Sequence, residues 1–137
     1  MWKLVHVGLL SLVGILVFSA GWALGQHAAP TGDLSVDQKL LATIDLAIAV
    51  DGMPARELRL SHVRVASRGH IGLHGHQDDP TVVYLVSGTL INHHDDGTST
   101  QLRPGQGFAE FGPGQHWIEN VGSQPATFVF ASVSRPQ

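Results

Sequence analysis

The sequence predicts a single all-β domain, an antiparallel sandwich or barrel, preceded by a hydrophobic segment at the N-terminus. Short runs of apolar and β-branched residues succeed one another from about residue 40 onward. Gly or Pro separates these runs at intervals of roughly 8–12 residues, which is typical of such folds. Long amphipathic helices do not alternate with the runs, so a parallel α/β sheet is not expected. A chain of 137 residues has room for one hydrophobic core.

The N-terminal region has the composition of a targeting sequence followed by a linker. Lys3 precedes an apolar stretch from Leu4 to Leu24 that ends in small residues, as in a secretory signal peptide. The stretch is also long enough for an uncleaved anchor, since about 20 residues span a bilayer. We therefore expect residues 1–25 to be a signal peptide or transmembrane anchor and the protein to be extracytoplasmic, either periplasmic or secreted. Residues 26–38, rich in Ala, Pro, Thr, Gly and Asp, predict a linker before a barrel domain at 39–137.

The strands of that domain are predicted from alternation and from turn residues. The first is expected at Leu40–Val50, although its Ala and Leu residues also favour helix. The second, Arg56–Ala66, alternates between apolar and polar residues, but the phase slips by one between Leu60 and Val63. That slip predicts a β-bulge or a bend. The strands expected after these two are Ile71–His76, Thr81–Val86, Thr89–His94, Thr100–Leu102, Phe108–Phe111, His116–Val121 and Ala126–Val133.

Charge and cysteine content exclude several classes of function. The net charge is −3, charged residues make up 14%, and the lysines and arginines are scattered, so no basic surface for nucleic acid is expected. The chain has no cysteine, which excludes disulfides and leaves only nitrogen and oxygen atoms as metal ligands. Histidine is unusually frequent, with nine residues against eight lysines and arginines together. This excess makes a histidine metal site the first hypothesis to consider.

The sequence His74-Gly75-His76 places two imidazoles two residues apart. In a strand, residues i and i+2 point to the same face, so both rings project side by side. Each neutral ring offers a nitrogen lone pair, and the pair is therefore a start on a divalent metal site. A single His-x-His pair is a weak signal in a chain this rich in histidine, and its meaning depends on ligands elsewhere.

Two spaced motifs resemble those of the cupin superfamily. The first motif matches at both histidine positions, His74 and His76, and at Gly88, which closes it at the expected distance. Three residues of the second motif also match in place and spacing: Gly105, His116 and Asn120. The resemblance covers about residues 55–133 and implies a double-stranded β-helix, or jelly-roll, barrel. It also implies that His74, His76 and His116 bind one divalent metal ion.

The departures from the cupin motifs bear on function. Thr81 stands where the family has a glutamate ligand, so the usual fourth ligand is missing. Three further motif positions hold unusual residues: Arg68, Phe111 and Pro113. Glu110 is the candidate replacement, since it shares the face of Phe108 if that residue points inward. It would be a fourth, oxygen ligand, or a group that hydrogen-bonds a histidine or a bound water; an exposed or arginine-paired Glu110 is the alternative. Phe108, Val83 and Leu85 are expected to form an apolar wall around the site.

The remaining site interpretations are less specific. Imidazole with or without one carboxylate suits iron, zinc, copper, nickel or manganese, so the donor set does not choose the metal. The alternative is a degenerate barrel whose histidines form hydrogen bonds and bind no metal. His93 and His94 precede a hairpin turn and are expected to be solvated at its base. Trp117 is expected on the outer sheet, in packing there or at a dimer surface.

Two classes of function stay open at this point, and with them the question of whether the protein is an enzyme. One is a metalloenzyme acting on a small molecule, of dioxygenase, decarboxylase or isomerase type, in which Glu110 transfers protons if it is not a ligand. The other is a non-catalytic barrel that binds a metal or small ligand for sensing or sequestration. The expected partner is a small molecule and not nucleic acid, with membrane contact only through an uncleaved N-terminal segment. An exposed sheet could also support a homodimer.

Overall fold

The computed structural model describes residues 28–136, in which six strands and one short helix form an all-β domain, as predicted. All strand pairings are antiparallel. The elements are β1 (Leu34–Asp45), α1 (Leu46–Ala49), β2 (Glu57–Ser87), β3 (Leu90–His94), β4 (Ser99–Leu102), β5 (Gly107–Glu119) and β6 (Ala126–Ser134). The predicted signal peptide or anchor lies outside the described residues. Within those residues, no helix has the length and apolar character needed to span a membrane.

Strand β2 spans 31 residues and bends around the domain. Its first stretch, residues 57–65, pairs with β1 on one edge and with β6 on the other. Its last stretch, residues 81–87, pairs with the opposite edge of β6 and with the start of β5. Strand β6 is therefore held between two stretches of the same strand, which rolls the sheet into the jelly-roll barrel. The strands predicted separately at 71–76 and 81–86 are the middle and last stretches of β2.

Strand β5 also changes partners along its length. Residues 107–110 pair with the last stretch of β2, whereas residues 115–119 pair with its middle stretch on one side and with β3 on the other. Between the two halves, Gly112 has a φ of 86°, a left-handed conformation that glycine adopts without steric cost. Both halves therefore run beside β2, which sets Glu110 opposite Thr81 and His116 opposite His74.

The hydrophobic core lies inside the barrel and is formed by the inward positions of the alternating strands. Its buried members are Val63, Val65, Val83, Leu85, Leu90, Leu102, Ile118, Ala126 and Phe128. Burying one such large side chain stabilises the fold by about 1.5–3 kcal/mol relative to leaving it exposed. The polar side chains of Thr81, Asn92 and His116 are buried as well. Buried polar groups need hydrogen-bond partners, so these three residues mark a part of the interior that is not simply core.

The first strand begins earlier and ends earlier than the sequence predicted. Leu34 already pairs with His70, and the Asp33 carboxylate accepts a hydrogen bond of 2.9 Å from the backbone N–H of Gly72. Residues 34–38 therefore belong to the sheet, and the prediction of a linker there was wrong. The strand ends at Asp45 because its side chain accepts a hydrogen bond of 2.8 Å from the Ala47 N–H and caps α1.

The predicted bulge is present, but in the neighbouring strand. Strand β2 pairs with β6 without a shift through the whole first stretch, so β2 itself is regular there. In β1, Leu41 has no partner between the pairs Leu40–Ser61 and Ala42–Leu60. Ser61 is 2% exposed and occupies an inward position, whereas Leu60 is 39% exposed and points outward. The apparent slip in phase arose because an inward serine and an outward leucine reverse the usual pattern.

Candidate metal centre

Three histidines converge inside the barrel. His74 and His76 come from β2 and His116 from β5, and their ligand nitrogens all lie within 4.8 Å of one another. The Nε2 atoms of His76 and His116 are 3.1 Å apart. Two nitrogens that each lie about 2.1 Å from one metal ion, at tetrahedral or octahedral angles, are separated by about 3.0–3.4 Å. The three side chains are therefore arranged so that one ion could be shared among them.

Each of the three rings is oriented by a hydrogen bond at its other nitrogen. The Nδ1–H of His74 donates to the carbonyl of Gly72 at 2.8 Å. The Nδ1–H of His116 donates to the Oδ1 atom of Asn92 at 2.7 Å, and that of His76 donates to the Asp79 carbonyl at 3.1 Å. A carbonyl oxygen can only accept, so in a neutral ring the lone pair is left on Nε2. Hydrogen bonds of this kind fix the tautomer and orientation of metal-binding histidines.

Thr81 supports His76 at the position where the cupin resemblance calls for a carboxylate. Its hydroxyl donates a hydrogen bond of 2.9 Å to the Asp79 carbonyl. The same oxygen lies 3.1 Å from Nδ1 of His76 and accepts from that N–H. Because the side chain is held on the Nδ1 side of the ring, Thr81 orients the histidine instead of facing the Nε2 atoms.

The Glu110 carboxylate lies against the histidines and is 10% exposed. Its Oε2 atom is 3.1 Å from Nε2 of His76, and its Oε1 atom is 3.3 Å from Nδ1 of His116. That Nδ1–H is already directed at Asn92, and Oε1 has no hydrogen-bond partner among residues 28–136. Leaving a buried carboxylate oxygen unpaired is costly, by about 1–3 kcal/mol or more. A cation bound at the Nε2 atoms would balance the charge of this carboxylate and so offset part of the cost, and the donor set therefore fits a metal ion.

The electrostatics of the cluster shift the pKa values of His76 and His116 in opposite directions. The hydrogen bond that the Glu110 carboxylate accepts from the protonated ring raises the pKa of His76; burial opposes this shift, and the attraction of the same carboxylate adds to it. Burial lowers the pKa of His116 to about 4; Glu110 opposes that shift, and repulsion from His74 and His76 adds to it. His116 is therefore neutral near pH 7 and keeps its lone pair.

A pocket of about 400 Å³ opens beside the histidines. Its inner end is formed by His76, Glu110 and His116, and one wall carries the apolar side chains of Leu102 and Phe108. Val83 and Leu85, which were also expected in this wall, belong to the core cluster instead. The other lining residues are Asn92, His94, Asp95, Asp96, Thr100, Ala109, Phe111, Gly114 and Gln115.

Sequence reasoning missed the polar rim of this pocket. His94 was expected to be solvated, and it is exposed, but it pairs with His116 across β3 and β5 and its ring centroid is 6.3 Å from that of His116. Asp95 and Asp96 follow in the turn and line the same pocket. Their place depends on the register between two strands far apart in sequence, and no local pattern signals that register.

His93 and Trp117 lie on the outer face of the sheet. Their rings stack with centroids 4.0 Å apart and planes at 8°, and Nε2 of His93 is 2.9 Å from a carboxylate oxygen of Glu119. Trp117 is thus on the side that its alternation with His116 predicted. Among residues 28–136, His74, His76 and His116 are the group of ligand side chains close enough together to hold a metal ion.

Comparison with known proteins gives a family and a fold. A family model described as a cupin domain matches residues 61–132, which is more than half of the chain. The search of curated proteins gave no match. Many solved structures are similar, and all of those described below are 20% identical or less, so they show the fold and not the activity.

Three of these structures illustrate the range of proteins with this fold. A Thermotoga maritima protein described as a predicted oxalate decarboxylase is 16% identical, with a TM-score of 0.58 over 77% of this chain and 93% of its own. The polyketide cyclase RemF from Streptomyces resistomycificus is 20% identical, with a TM-score of 0.61 over 80% of this chain and 73% of its own. The cupin domain of an XRE family transcriptional regulator from Enterobacter cloacae is 19% identical, with a TM-score of 0.56 over 76% of this chain and 100% of its own.

Proposed function

Because this chain belongs to the cupin domain family, we propose that its barrel binds one divalent metal ion through His74, His76 and His116 and presents that ion to a small molecule in the adjoining pocket. The observation that carries the proposal is the convergence of three histidine side chains whose Nδ1 atoms are all hydrogen-bonded elsewhere. A bound divalent ion would supply polarisation of a ligand oxygen or activation of water.

Glu110 completes the ligand set in this proposal. Two atoms lie 3.1 Å from Nε2 of His76: the Oε2 atom of Glu110 and the Nε2 atom of His116. A carboxylate oxygen at that separation can share an ion with His76. The buried and unpaired Oε1 atom gives a second reason, since a nearby cation stabilises the ionised carboxylate.

The open pocket favours an enzyme over a structural metal site. Closed structural sites surround the ion with protein ligands, whereas catalytic sites keep a position free for water or substrate. Here the space next to His76, Glu110 and His116 continues into a pocket of about 400 Å³, large enough for a small organic molecule. We therefore propose a metal-dependent enzyme. A barrel that binds a ligand without converting it is the competing function, and it would show metal-dependent binding but no product.

Metal analysis of the full chain, purified without a histidine tag, tests this proposal. The expected result is about one zinc, iron or copper ion per chain in the wild type, by analogy with three-histidine sites. His76→Ala should lose that ion, whereas His62→Ala should keep it, because His62 lies on β2 away from the cluster. A wild type that takes up no ion after metal supplementation, or equal retention by His76→Ala, would contradict the proposal.

We also propose that the domain works outside the cytoplasm. Lys3 and the apolar stretch from Leu4 to Leu24 support this proposal, since they have the composition of an export signal. Cell fractionation with mass determination of the mature protein tests it. Recovery of the domain in the extracytoplasmic fraction, either shortened near Gly25 or full-length and membrane-bound, is expected. Recovery of the full chain in the cytoplasm would contradict it.

A further inference from the structure

The pocket beside the histidines has an unbalanced set of charges. Three carboxylates, those of Asp95, Asp96 and Glu110, line it. None of the lysines and arginines within residues 28–136 does. Sites that recognise carboxylate or phosphate groups normally supply arginine or lysine for the purpose. The metal and Glu110 together would carry a single net positive charge, and Asp95 and Asp96 line the same pocket.

Local hydrogen bonds hold both aspartates in place. The Oδ1 atom of Asp96 accepts from the backbone N–H of Thr98 at 2.9 Å and from its hydroxyl at 2.7 Å. The hydroxyl bond, followed by the backbone bond, lowers the pKa of Asp96, so its carboxylate stays ionised near neutral pH. The Oδ2 atom of Asp95 accepts from the N–H of Gln115 at 2.9 Å. No salt bridge within residues 28–136 neutralises either charge.

Part of the pocket lining is apolar. Leu102 is buried at 6% exposure and Phe108 is half-buried, and both line the pocket together with Ala109. Phe111 extends this surface toward solvent with 76% of its area exposed. Aromatic side chains in such positions pack against flat apolar parts of a ligand. The pocket therefore pairs an apolar wall with an acidic rim.

We propose that this pocket selects uncharged or cationic small molecules that carry an apolar part, and that it discriminates against carboxylate and phosphate ligands. This inference rests on the proposed metal-binding function, because the ligand would occupy the same pocket. An anion would be attracted by the ion but repelled by Asp95 and Asp96, and the described residues that line the pocket include no guanidinium or ammonium group to pair with it. The substrate class implied by likeness to a predicted oxalate decarboxylase therefore does not transfer to this chain.

Three probes that differ in charge test the inference. Catechol, dopamine and 3,4-dihydroxybenzoate share a metal-chelating diol and an aromatic ring. At neutral pH catechol is uncharged, dopamine carries a positive charge and 3,4-dihydroxybenzoate carries a negative charge. Binding to the zinc-loaded full chain is measured by calorimetry. Catechol and dopamine should bind at least about tenfold more tightly than 3,4-dihydroxybenzoate at low ionic strength, and the difference should shrink at high salt because charges at the rim are screened.

A charge-neutral variant assigns the discrimination to named residues. In Asp95→Asn/Asp96→Asn, amide oxygens can still accept from Gln115 and Thr98, so the turn is preserved while both charges are lost. The preference against 3,4-dihydroxybenzoate should fall to about threefold or less. The control is Asp51→Asn, which removes an exposed carboxylate that does not line the pocket and should leave the preference unchanged.

The outcomes separate this inference from the proposed function. Zinc content is measured in the same samples, and failure to bind zinc would overturn the metal-binding function and this inference with it. Stoichiometric zinc with equal or tighter binding of 3,4-dihydroxybenzoate, or with no binding of any probe, would overturn the inference alone. An unchanged preference in Asp95→Asn/Asp96→Asn would overturn the role of the acidic rim.

Discussion

The carboxylate of Glu110 lies 3.1 Å from Nε2 of His76, on the side of the ring opposite the hydrogen bonds made by its Nδ1 atom. The acidic group of the histidine cluster therefore comes from β5 and not from β2. The position on β2 that would hold a carboxylate in the cupin pattern is Thr81, which pairs with Glu110 across the two strands. The acidic group has therefore moved to the facing strand, and the vacated position orients a histidine.

Glu110→Gln tests the proposed fourth ligand. The amide has almost the same shape but no charge, so it is a poorer metal ligand and no longer compensates a bound cation. We expect zinc affinity, measured by competition with a chromogenic chelator, to fall by about 10–100-fold. Glu119→Gln is the matched control, because Glu119 bonds His93 on the outer face. Equal affinities of the two variants would remove Glu110 from the ligand set.

Thr81→Val tests whether the threonine hydroxyl orients His76. Valine keeps the branched shape but cannot accept the N–H of the ring, and it leaves the Asp79 carbonyl without its second donor. Zinc affinity should fall by about tenfold or more in Thr81→Val. Thr81→Ser keeps the hydroxyl and should stay close to the wild type. Similar losses in both variants would point to packing, not to the hydrogen bond.

Asn92 is predicted to hold the tautomer of His116. Asn92→Leu removes the acceptor of a 2.7 Å hydrogen bond and leaves the Nδ1–H of His116 with only the Glu110 Oε1 atom, 3.3 Å away, as an acceptor. The ring is then free to protonate at Nε2, so zinc affinity should fall by about 10–100-fold. Asn92→Asp retains an acceptor and should bind zinc at least ten times more tightly than Asn92→Leu does. A competition titration in which Asn92→Leu matches the wild type would show that the hydrogen bond is dispensable.

Two glycines with the same backbone conformation make a controlled test of the fold. Gly88 and Gly97 have φ values of 81° and 84°, so alanine at either position is strained by about 1–2 kcal/mol. A Cβ atom at Gly88 would also come within 2.5 Å of Cα of Ala126, whereas nothing lies within 4 Å at Gly97. Gly88→Ala should lose about 1–3 kcal/mol more of the free energy of unfolding than Gly97→Ala. Equal losses in urea denaturation would contradict the close approach of β6 to the turn after β2.

The sequence allowed more of the barrel interior to be predicted than of its edges. His74 and His76 share a face because strand periodicity is local, and the spacing of the second motif added His116. Residues 34–38 lack an apolar pattern and are mostly exposed in the edge strand β1, so only their pairing with β2 reveals that they belong to the sheet. The acidic rim could not be predicted either, since it depends on the register of His94 against His116.

Anomalous X-ray diffraction from crystals of the zinc-loaded protein tests the central claim most directly, because it locates the ion relative to each side chain. We predict one zinc ion about 2.0–2.2 Å from Nε2 of His74, His76 and His116 and from one carboxylate oxygen of Glu110. Zinc found elsewhere, for example beside His93 and Glu119, with the three Nε2 atoms free of metal, would contradict it.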